Sequence, residues 1–411
     1  MRSLRFQMST ANPSAVPVPP PGARPRLGSV DLLRGWIMIF MALDHVRDFF
    51  SREAMLFDPS DLTRTSAPIF LTRWITHFCA PVFFFLAGTG AFLSTSRGKT
   101  QPELARFLLT RGLWLIILEL TLVQFGWTFH VGFHQVALMV IWALGWSMIA
   151  LAALIFLPPW AIAAFGLAMI AGHNLLDGLR ADAFGSFGGL WKILHVQDGF
   201  AIAPGYSVFV VYPLIPWIGV MACGYALGGI LRWERAERRR ILLWIGGAET
   251  LAFILIRASN LYGDPGKWTV QKDALFTVLS FLNCTKYPPS LLFLLMTLGP
   301  ALIALALFDR EAGRFAKPIL VIGRVPLFFY LLHLPLIHGM AVVFAYLRYG
   351  YAGALWNGPA WGDPAQYPPA YGYGLPGVYG FWLLAVVLLY PLCRWWANLK
   401  QRRRDAWLSY F

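Results

Sequence analysis

The sequence is poor in charge and in cysteine for a chain of its length. Charged residues make up 13% of its 411 residues, whereas 58% are hydrophobic, and the mean hydropathy is +0.58. A soluble protein of this size would lack enough polar surface, so the composition predicts a protein that crosses a membrane several times. The four cysteines lie in different segments, which argues against a disulfide framework.

Several familiar motifs are also missing. The chain has no glycine-rich phosphate loop, Gly-x-Ser-x-Gly elbow or Cys-x-x-Cys pair, which excludes the usual soluble nucleotide-binding, hydrolase and redox signatures. No internal repeat is visible, and this disfavours a transporter built from inverted repeats. Residues 1–29 hold six prolines and no apolar signal-peptide core, so we expect a disordered cytoplasmic tail that stays on the mature chain.

Long apolar segments fill the rest of the chain. Windows of about 20 apolar residues predict ten transmembrane helices. These lie near residues 30–50, 72–94, 107–129, 135–156, 159–175, 208–230, 241–261, 288–308, 319–345 and 379–397. The stretch 274–283 could add a re-entrant piece or an eleventh helix. We therefore predict an all-α, polytopic bundle, with a transmembrane domain over residues 30–398 and a basic cytoplasmic tail over residues 399–411.

The positive charges predict the orientation of this bundle. Roughly twice as many Lys and Arg residues fall on the side of the two termini as on the other, so both termini are expected in the cytoplasm of a bacterial cell. The net charge of +14 then reflects topology and contact with anionic lipid, and no nucleic-acid partner is expected. None of the eight histidines falls in a predicted cytoplasmic loop, which places proton-handling chemistry toward the outer face.

The first predicted helix carries charge at membrane depth, which suggests function. His45 follows Arg34 by eleven residues, so the two side chains point within about 20° of each other and lie roughly 16 Å apart along the axis. One helix face therefore holds a cation near the cytoplasm and a titratable base near the outer surface.

Three residues are candidates for the catalytic groups. A neutral His45 could take a proton from a hydroxyl or amine, and Asp44 could orient it or stabilise its charged form, although neighbours in sequence point about 100° apart on a helix. His77 shares the predicted depth of His45. The alternative is that both histidines only join two helices through hydrogen bonds. His130 and His134 have i,i+4 spacing but no companion ligand, so no metal is expected.

Basic residues near the cytoplasmic side could hold the phosphates of a nucleotide-like donor. The candidates are Arg34, Arg324, Lys317 and Arg111. Alternatively, Arg34 could pair with Asp31 one turn away, and the other residues could be ordinary membrane anchors.

The last outer loop, residues 346–379, contains seven tyrosines and two tryptophans among glycines and prolines. Flat aromatic faces and phenolic hydroxyls suit a carbohydrate acceptor, and they equally suit the aromatic belt of a membrane interface.

The motifs together resemble a known family. Arg26-x4-Asp31-Leu-Leu-Arg34-Gly followed by Asp44-His45 resembles the first helix of the transmembrane acyltransferase superfamily, and Arg34-x10-His45 has the Arg-x10-His spacing of its O-acetyltransferase branch. The rest is similar to bacterial relatives of the heparan-alpha-glucosaminide N-acetyltransferase catalytic domain. The supporting stretches are residues 80–88, 286–299, 323–333 and 371–379, and the resemblance covers residues 26–398.

This resemblance implies an enzyme that takes an acyl group, typically acetyl, from coenzyme A in the cytoplasm and delivers it to a sugar or glycan outside. It also implies His45 as base or acyl-relay nucleophile, with Asp44 and His77 as partners and with Arg34 and Arg324 toward the donor. Two departures stand out. The animal enzyme has Asn where this chain has His45, and its Trp-Asn-Gly motif is missing between residues 50 and 73, while His77 matches an acidic position.

Other classes of function stay open at this point. A transporter or flippase for a small polar or sugar-containing solute could line its path with the same charged residues. It would move an unmodified solute and consume no acyl-CoA. A catalytically silent membrane scaffold is a third interpretation. The sequence does not decide the oligomeric state.

Overall fold

The structure is a computed structural model that describes residues 27–95, 98–311, 313–356, 364–403 and 405–410. Most of the predicted N-terminal tail lies outside these ranges, as do Arg26 of the first motif, Trp361 of the last outer loop and Arg404. Within the described residues the chain is mostly helical and has one small sheet. The predicted all-α membrane bundle is therefore confirmed.

The described helices are listed here in chain order. They are α1 Gly28–Phe50, α2 Arg52–Leu56, α3 Ala67–Ile75, α4 Cys79–Thr95, α5 Gln101–Leu118, α6 Gln124–Thr128, α7 Val140–Leu154, α8 Pro159–Gly172, α9 Gly188–His195, α10 Leu214–Leu227, α11 Arg235–Ser259, α12 Ala274–Leu282, α13 Leu291–Phe308, α14 Lys317–Arg324, α15 Pro326–Tyr349 and α16 Leu375–Arg402. A 3-10 turn, Thr76–Phe78, joins α3 to α4, and a π-helical turn, Glu119–Val123, joins α5 to α6.

Eight helical segments among the described residues are long and apolar enough to cross a membrane. They are Ala67–Thr95, Gln101–Thr128, Pro159–Leu176, Leu214–Arg232, Arg235–Ser259, Leu291–Phe308, Pro326–Tyr349 and Leu375–Arg402. The charged α1 and the shorter α7 match the other two predicted spans. The helix α12 has nine residues, about 14 Å, which is too short for a bilayer core of about 30 Å.

The helix α1 lies at the centre of the bundle. Met38, Ala42 and Phe49 are almost completely buried, and α1 contacts α4, α13, α14, α15 and α16. Small residues allow the tightest of these contacts, because a Cβ at Gly35 would overlap Ile319 of α14 and a Cβ at Gly323 would overlap the backbone of Asp31. The polar groups of α1 are thus held inside the protein and away from lipid.

The small sheet consists of β1 Gln135–Leu138, β2 Gly199–Ala203 and β3 Tyr206–Val210 in the order β1-β3-β2. β1 runs parallel to β3 with Gln135 opposite Ser207, and β2 runs antiparallel to β3. The predicted span near residues 135–156 therefore begins as a strand. Its helix α7 starts only at Val140, where the carboxylate of Glu119 accepts hydrogen bonds from the amides of Ile141 and Trp142.

Candidate functional site

A large cavity, the His45 cavity, lies at the C-terminal end of α1. Its volume is about 1150 Å³. The walls come from α1, α4, α6, all three strands and the segment before α13. The charged or titratable residues lining it include Asp44, His45, Arg47, Asp48, Arg73, His130, His134, Lys286 and Tyr287. Two of the three predicted catalytic residues, Asp44 and His45, thus face one space.

The carboxylate of Asp44 is surrounded by a cluster of positively charged side chains in this cavity. It accepts hydrogen bonds from Arg73 at 2.7 and 3.0 Å and from the hydroxyl of Thr76 at 2.9 Å. The guanidinium of Arg47 lies 3.0 Å away, and the ammonium of Lys286 lies 3.8 Å away. Three positive side chains therefore share one carboxylate, so Asp44 is engaged by cations rather than by His45.

The carboxylate beside His45 belongs to Asp48, one helical turn further along α1. The distance from His45 Nδ1 to an Asp48 oxygen is 3.4 Å. The His45 ring also packs edge-on against Trp127, with ring centres 4.8 Å apart. A helix places residues i and i+3 on the same side, which explains why Asp48 and not the adjacent Asp44 meets the imidazole.

A second imidazole, that of His333 on α15, lies next to His45. The two ring centres are 5.1 Å apart. His333 is fully buried, its Nδ1 contacts the carbonyl oxygen of Tyr330, and its Nε2 has no hydrogen-bond partner. His333 was not predicted from the sequence as a site residue, because its position in the predicted helix is near mid-membrane rather than near the outer face. The available signal was the stretch 323–333, which supports the family resemblance and ends on this histidine.

The structure places His77 beside the cavity rather than in it. His77 lies in the turn between α3 and α4, is 4% exposed, and packs against Phe293 with ring centres 5.3 Å apart. Its Nδ1 has no hydrogen-bond partner. The neighbouring Thr76 bonds to Asp44, so His77 is close to the cluster without facing the same space.

Two positively charged residues of the cavity, Arg73 and Lys286, were not predicted as site residues, because in the sequence they count only as loop charges that set the orientation. Arg73 lies in the last turn of α3, and Lys286 lies buried in the segment before α13. Beside them, burial raises the pKa of the Tyr287 phenol, but the positive charges of Lys286 and Arg73 lower this pKa more, and the net shift is downward. The cavity wall therefore favours negative charge near Tyr287.

A second cavity, the Arg34 cavity, lies at the other end of α1 and has a volume of about 290 Å³. Its basic lining residues are Arg34, Arg111, Arg324 and Lys400. Arg34 is also 3.4 Å from Asp31, so the predicted pairing within α1 exists alongside the cavity lining. Four cations around one space can hold an anion such as a phosphate. Lys317 does not line this cavity.

The two cavities meet in the middle of the bundle. Phe83, Val140 and Tyr330 contribute to the walls of both. The ends of α1 thus open into two spaces with different chemistry, a basic one at Arg34 and a mixed one with imidazoles at His45. A group small enough to pass these three side chains could be exchanged between them.

The described tyrosines of the last outer loop do not line either cavity. Several hold the end of α1 instead, because the hydroxyl of Tyr371 bonds to the carbonyl of Phe49 at 3.1 Å and the amide of Tyr373 bonds to the carbonyl of Phe50 at 2.7 Å. Tyr346 and Tyr351 are exposed, as interface residues would be.

Comparison with protein families finds a match over more than half of the chain. Residues 26–259 match the family described as heparan-alpha-glucosaminide N-acetyltransferase, catalytic. The matched part includes Arg34, His45 and Arg73, whereas Lys286 and His333 follow it along the chain. No curated protein matches the chain.

Proposed function

Because the chain belongs to the heparan-alpha-glucosaminide N-acetyltransferase catalytic family, a family of membrane acetyltransferases, we propose that it transfers acetyl from coenzyme A to a sugar or glycan. In this proposal acetyl-CoA binds in the Arg34 cavity and the acceptor binds in the His45 cavity. The observation that carries the proposal is the meeting of a basic cavity and a histidine-bearing cavity at Phe83, Val140 and Tyr330. The transmembrane segment over residues 30–398 is then one catalytic domain.

The direction of transfer follows from charge. The Arg34 cavity opens on the end of the bundle where Lys and Arg residues are most frequent, and the positive-inside rule assigns that end to the cytoplasm. Coenzyme A carries phosphates, which suit Arg34 and Arg324. The His45 cavity would then face outward in a bacterial cytoplasmic membrane, where the acceptor is a sugar or glycan.

His45 is the proposed catalytic residue. In a direct transfer, the acceptor hydroxyl or amine attacks the thioester carbonyl, a C–O or C–N bond forms, the C–S bond breaks, and the acceptor proton passes to His45 while coenzyme A leaves as the thiolate. In a relay, a His45 nitrogen attacks the thioester carbonyl, its C–N bond forms as the C–S bond breaks, and coenzyme A leaves as the thiolate. The acceptor then attacks the acetyl-imidazole, its C–O or C–N bond forms, and the bond from acetyl to His45 breaks. Either route regenerates neutral His45 once its proton reaches the thiolate or water.

The neighbours of His45 have separate proposed roles. Asp48 stabilises a positive charge on the imidazole because its oxygen lies 3.4 Å from Nδ1. Asp44 fixes Arg73 and Lys286, whose positive charges can stabilise the oxyanion of the attacked thioester. His77 supports this cluster from behind Thr76.

A binding experiment tests the donor half of the proposal. We expect acetyl-CoA to raise the thermal unfolding midpoint of the purified protein, and Arg324→Ala to weaken acetyl-CoA binding by roughly tenfold or more, as the loss of a charged hydrogen bond would. Lys317→Ala is the matched control, because Lys317 lies on the same helix and outside the cavity.

The same material distinguishes the two chemical routes. Protein incubated with acetyl-CoA without acceptor, then quenched and digested, will carry acetyl on His45 only in the relay route. Wild-type protein that shows no shift with acetyl-CoA and no bound coenzyme A by mass spectrometry would overturn the proposal.

A further inference from the structure

A second group of histidines lies apart from both cavities. His173 begins the 3-10 turn that follows α8, Asp177 comes four residues later, and His195 ends α9. None of the three lines the His45 cavity or the Arg34 cavity. The proposed acetyl transfer uses none of them, so this group needs an explanation of its own.

His173 is the most unusual member. It is 2% exposed, and neither of its ring nitrogens makes a hydrogen bond of ordinary geometry, although the backbone of Pro289 lies near the ring. A buried polar group without a well-formed hydrogen bond destabilises the folded state, so native proteins rarely keep one without a reason. His195 is buried to a similar degree, at 3% exposure. Two buried imidazoles and a carboxylate at one place are the usual ligands of a transition-metal ion.

The geometry brings the three donor atoms together. One nitrogen from each histidine and one oxygen of Asp177 lie within 4.8 Å of one another. His195 Nε2 is 3.8 Å from an Asp177 oxygen. A tetrahedral zinc ion with bonds of about 2.0–2.2 Å needs donors about 3.4 Å apart. Side-chain rotations that shorten the widest of these separations by about 1.4 Å, from 4.8 Å to about 3.4 Å, would therefore complete the coordination.

The surroundings already hold the would-be ligands in place. The amide of Asn174 donates to the second Asp177 oxygen at 2.9 Å, and Trp191 stacks on His195 with ring centres 5.2 Å apart. His195 Nε2 also lies 2.9 Å from the carbonyl oxygen of His173. This last contact would be exchanged for the metal bond, with the imidazole proton moving to Nδ1. Such outer partners commonly orient metal ligands.

We propose that His173, Asp177 and His195 bind one zinc ion, with water as the fourth ligand. Two imidazoles and one carboxylate suit zinc, whereas magnesium and calcium prefer oxygen ligands throughout. This proposal does not rest on the proposed acetyl transfer.

The position of the site indicates what the ion does. It joins the end of α8 to α9, and Lys192 of α9 donates to the carbonyl of Gly199 in β2 at 2.8 Å and pairs with Asp198 at 2.8 Å. Gly199 lines the His45 cavity. Asn174 additionally accepts from the amide of Leu291 at the start of α13. The ion therefore holds in place the sheet that lines the His45 cavity.

Metal binding to the full-length protein, purified in detergent with its affinity tag removed, tests the site. After treatment with a chelator and titration with zinc chloride, we expect one tightly bound zinc per chain by elemental mass spectrometry and a higher unfolding midpoint. Asp177→Asn and His195→Gln should each weaken zinc binding by roughly tenfold or more. The control is His134→Gln, which removes a histidine from the other closely spaced pair on the outer side and should leave the tight zinc in place.

Cobalt(II) gives an independent measurement on unmutated protein. Cobalt in a four-coordinate site absorbs visible light strongly, so the wild type should take up cobalt with such a spectrum and release it to zinc. A wild type that binds no zinc after desalting and gives no such spectrum would overturn the site. The site would also be overturned if the Asp177→Asn and His195→Gln proteins unfolded at the wild-type midpoint in the absence of metal and still bound zinc as tightly as the wild type.

Discussion

At the residue scale, the site depends on which carboxylate each cation or imidazole meets. Asp48 lies against His45, Asp44 is held by Arg73 and Lys286, and Arg47 pairs with both carboxylates. The sequence predicted His45 and Asp44 as a pair, and their side chains do face one cavity. Helix spacing could have predicted the pairing of His45 with Asp48, but not that of Asp44 with Arg73, because Arg73 is 29 residues from Asp44 and meets it only through helix packing.

Replacing Asp44 and Asp48 by Asn, one at a time, separates the roles of the two carboxylates. We expect Asp48→Asn to lower kcat by about 10- to 100-fold, since it removes the charge that stabilises the His45 imidazolium, and to lower stability only modestly, because Arg47 loses its pair with Asp48 but keeps its pair with Asp44. We expect Asp44→Asn to lower the unfolding midpoint further, because it takes the anion from Arg73 and Lys286 and leaves Arg47 with Asp48 alone. Steady-state kinetics and thermal unfolding of both variants check this. Equal losses of stability would contradict the assignment.

At the scale of elements, hydropathy predicted helices at all ten positions, eight of them in segments long and apolar enough to cross a membrane, because each apolar window is visible without reference to any other segment. The sheet was missed for the opposite reason. Its strands have four or five residues, and β1 pairs with β3, about 70 residues later, in segments that separate the spans. The start of α7 was likewise invisible, since it depends on a carboxylate from another helical segment.

The hydrogen bonds from the first amides of α7 to Glu119, which cap this helix, can be tested by mutation. Glu119→Leu leaves the amides of Ile141 and Trp142 without an acceptor, so we expect a loss of about 2–4 kcal/mol and a lower unfolding midpoint. Glu119→Gln keeps an acceptor oxygen and should lose clearly less. Thermal unfolding in one detergent measures both, and a Leu variant as stable as the Gln variant would show that the cap contributes nothing.

The contact between α1 and α14 gives a second test at this scale. Gly323→Ala places a methyl group against the backbone of Asp31, so we expect a loss of about 1–3 kcal/mol. Gly339→Ala on α15 is the matched control, since a Cβ there meets nothing within 4 Å, and it should be neutral or slightly stabilising. Thermal unfolding midpoints measure the difference between the two variants. Equal midpoints would argue against tight packing at Gly323.

At the scale of the whole molecule, α1 spans the distance between two chemically different cavities. The sequence predicted this polarity from Arg34 and His45 alone, because one helix fixes their spacing. It could not predict that Phe83 of α4, Val140 of α7 and Tyr330 of α15 separate the cavities, since those residues come from three helices. The family match, the cationic cavity and the imidazole pair of His45 and His333 then support one reaction across the membrane.

The central claim is that His45 passes acetyl from a donor on the Lys- and Arg-rich side to an acceptor on the other side. The most direct measurement uses sealed vesicles with radiolabelled acetyl-CoA on one side and glucosamine or a bacterial glycan fraction on the other. Wild-type protein should acetylate the acceptor only when acetyl-CoA is on the Lys- and Arg-rich side. His45→Gln, inserted and folded like the wild type, should be slower by about 100- to 10,000-fold. Full activity of His45→Gln, or transport of unmodified acceptor without consumption of acetyl-CoA, would contradict the account.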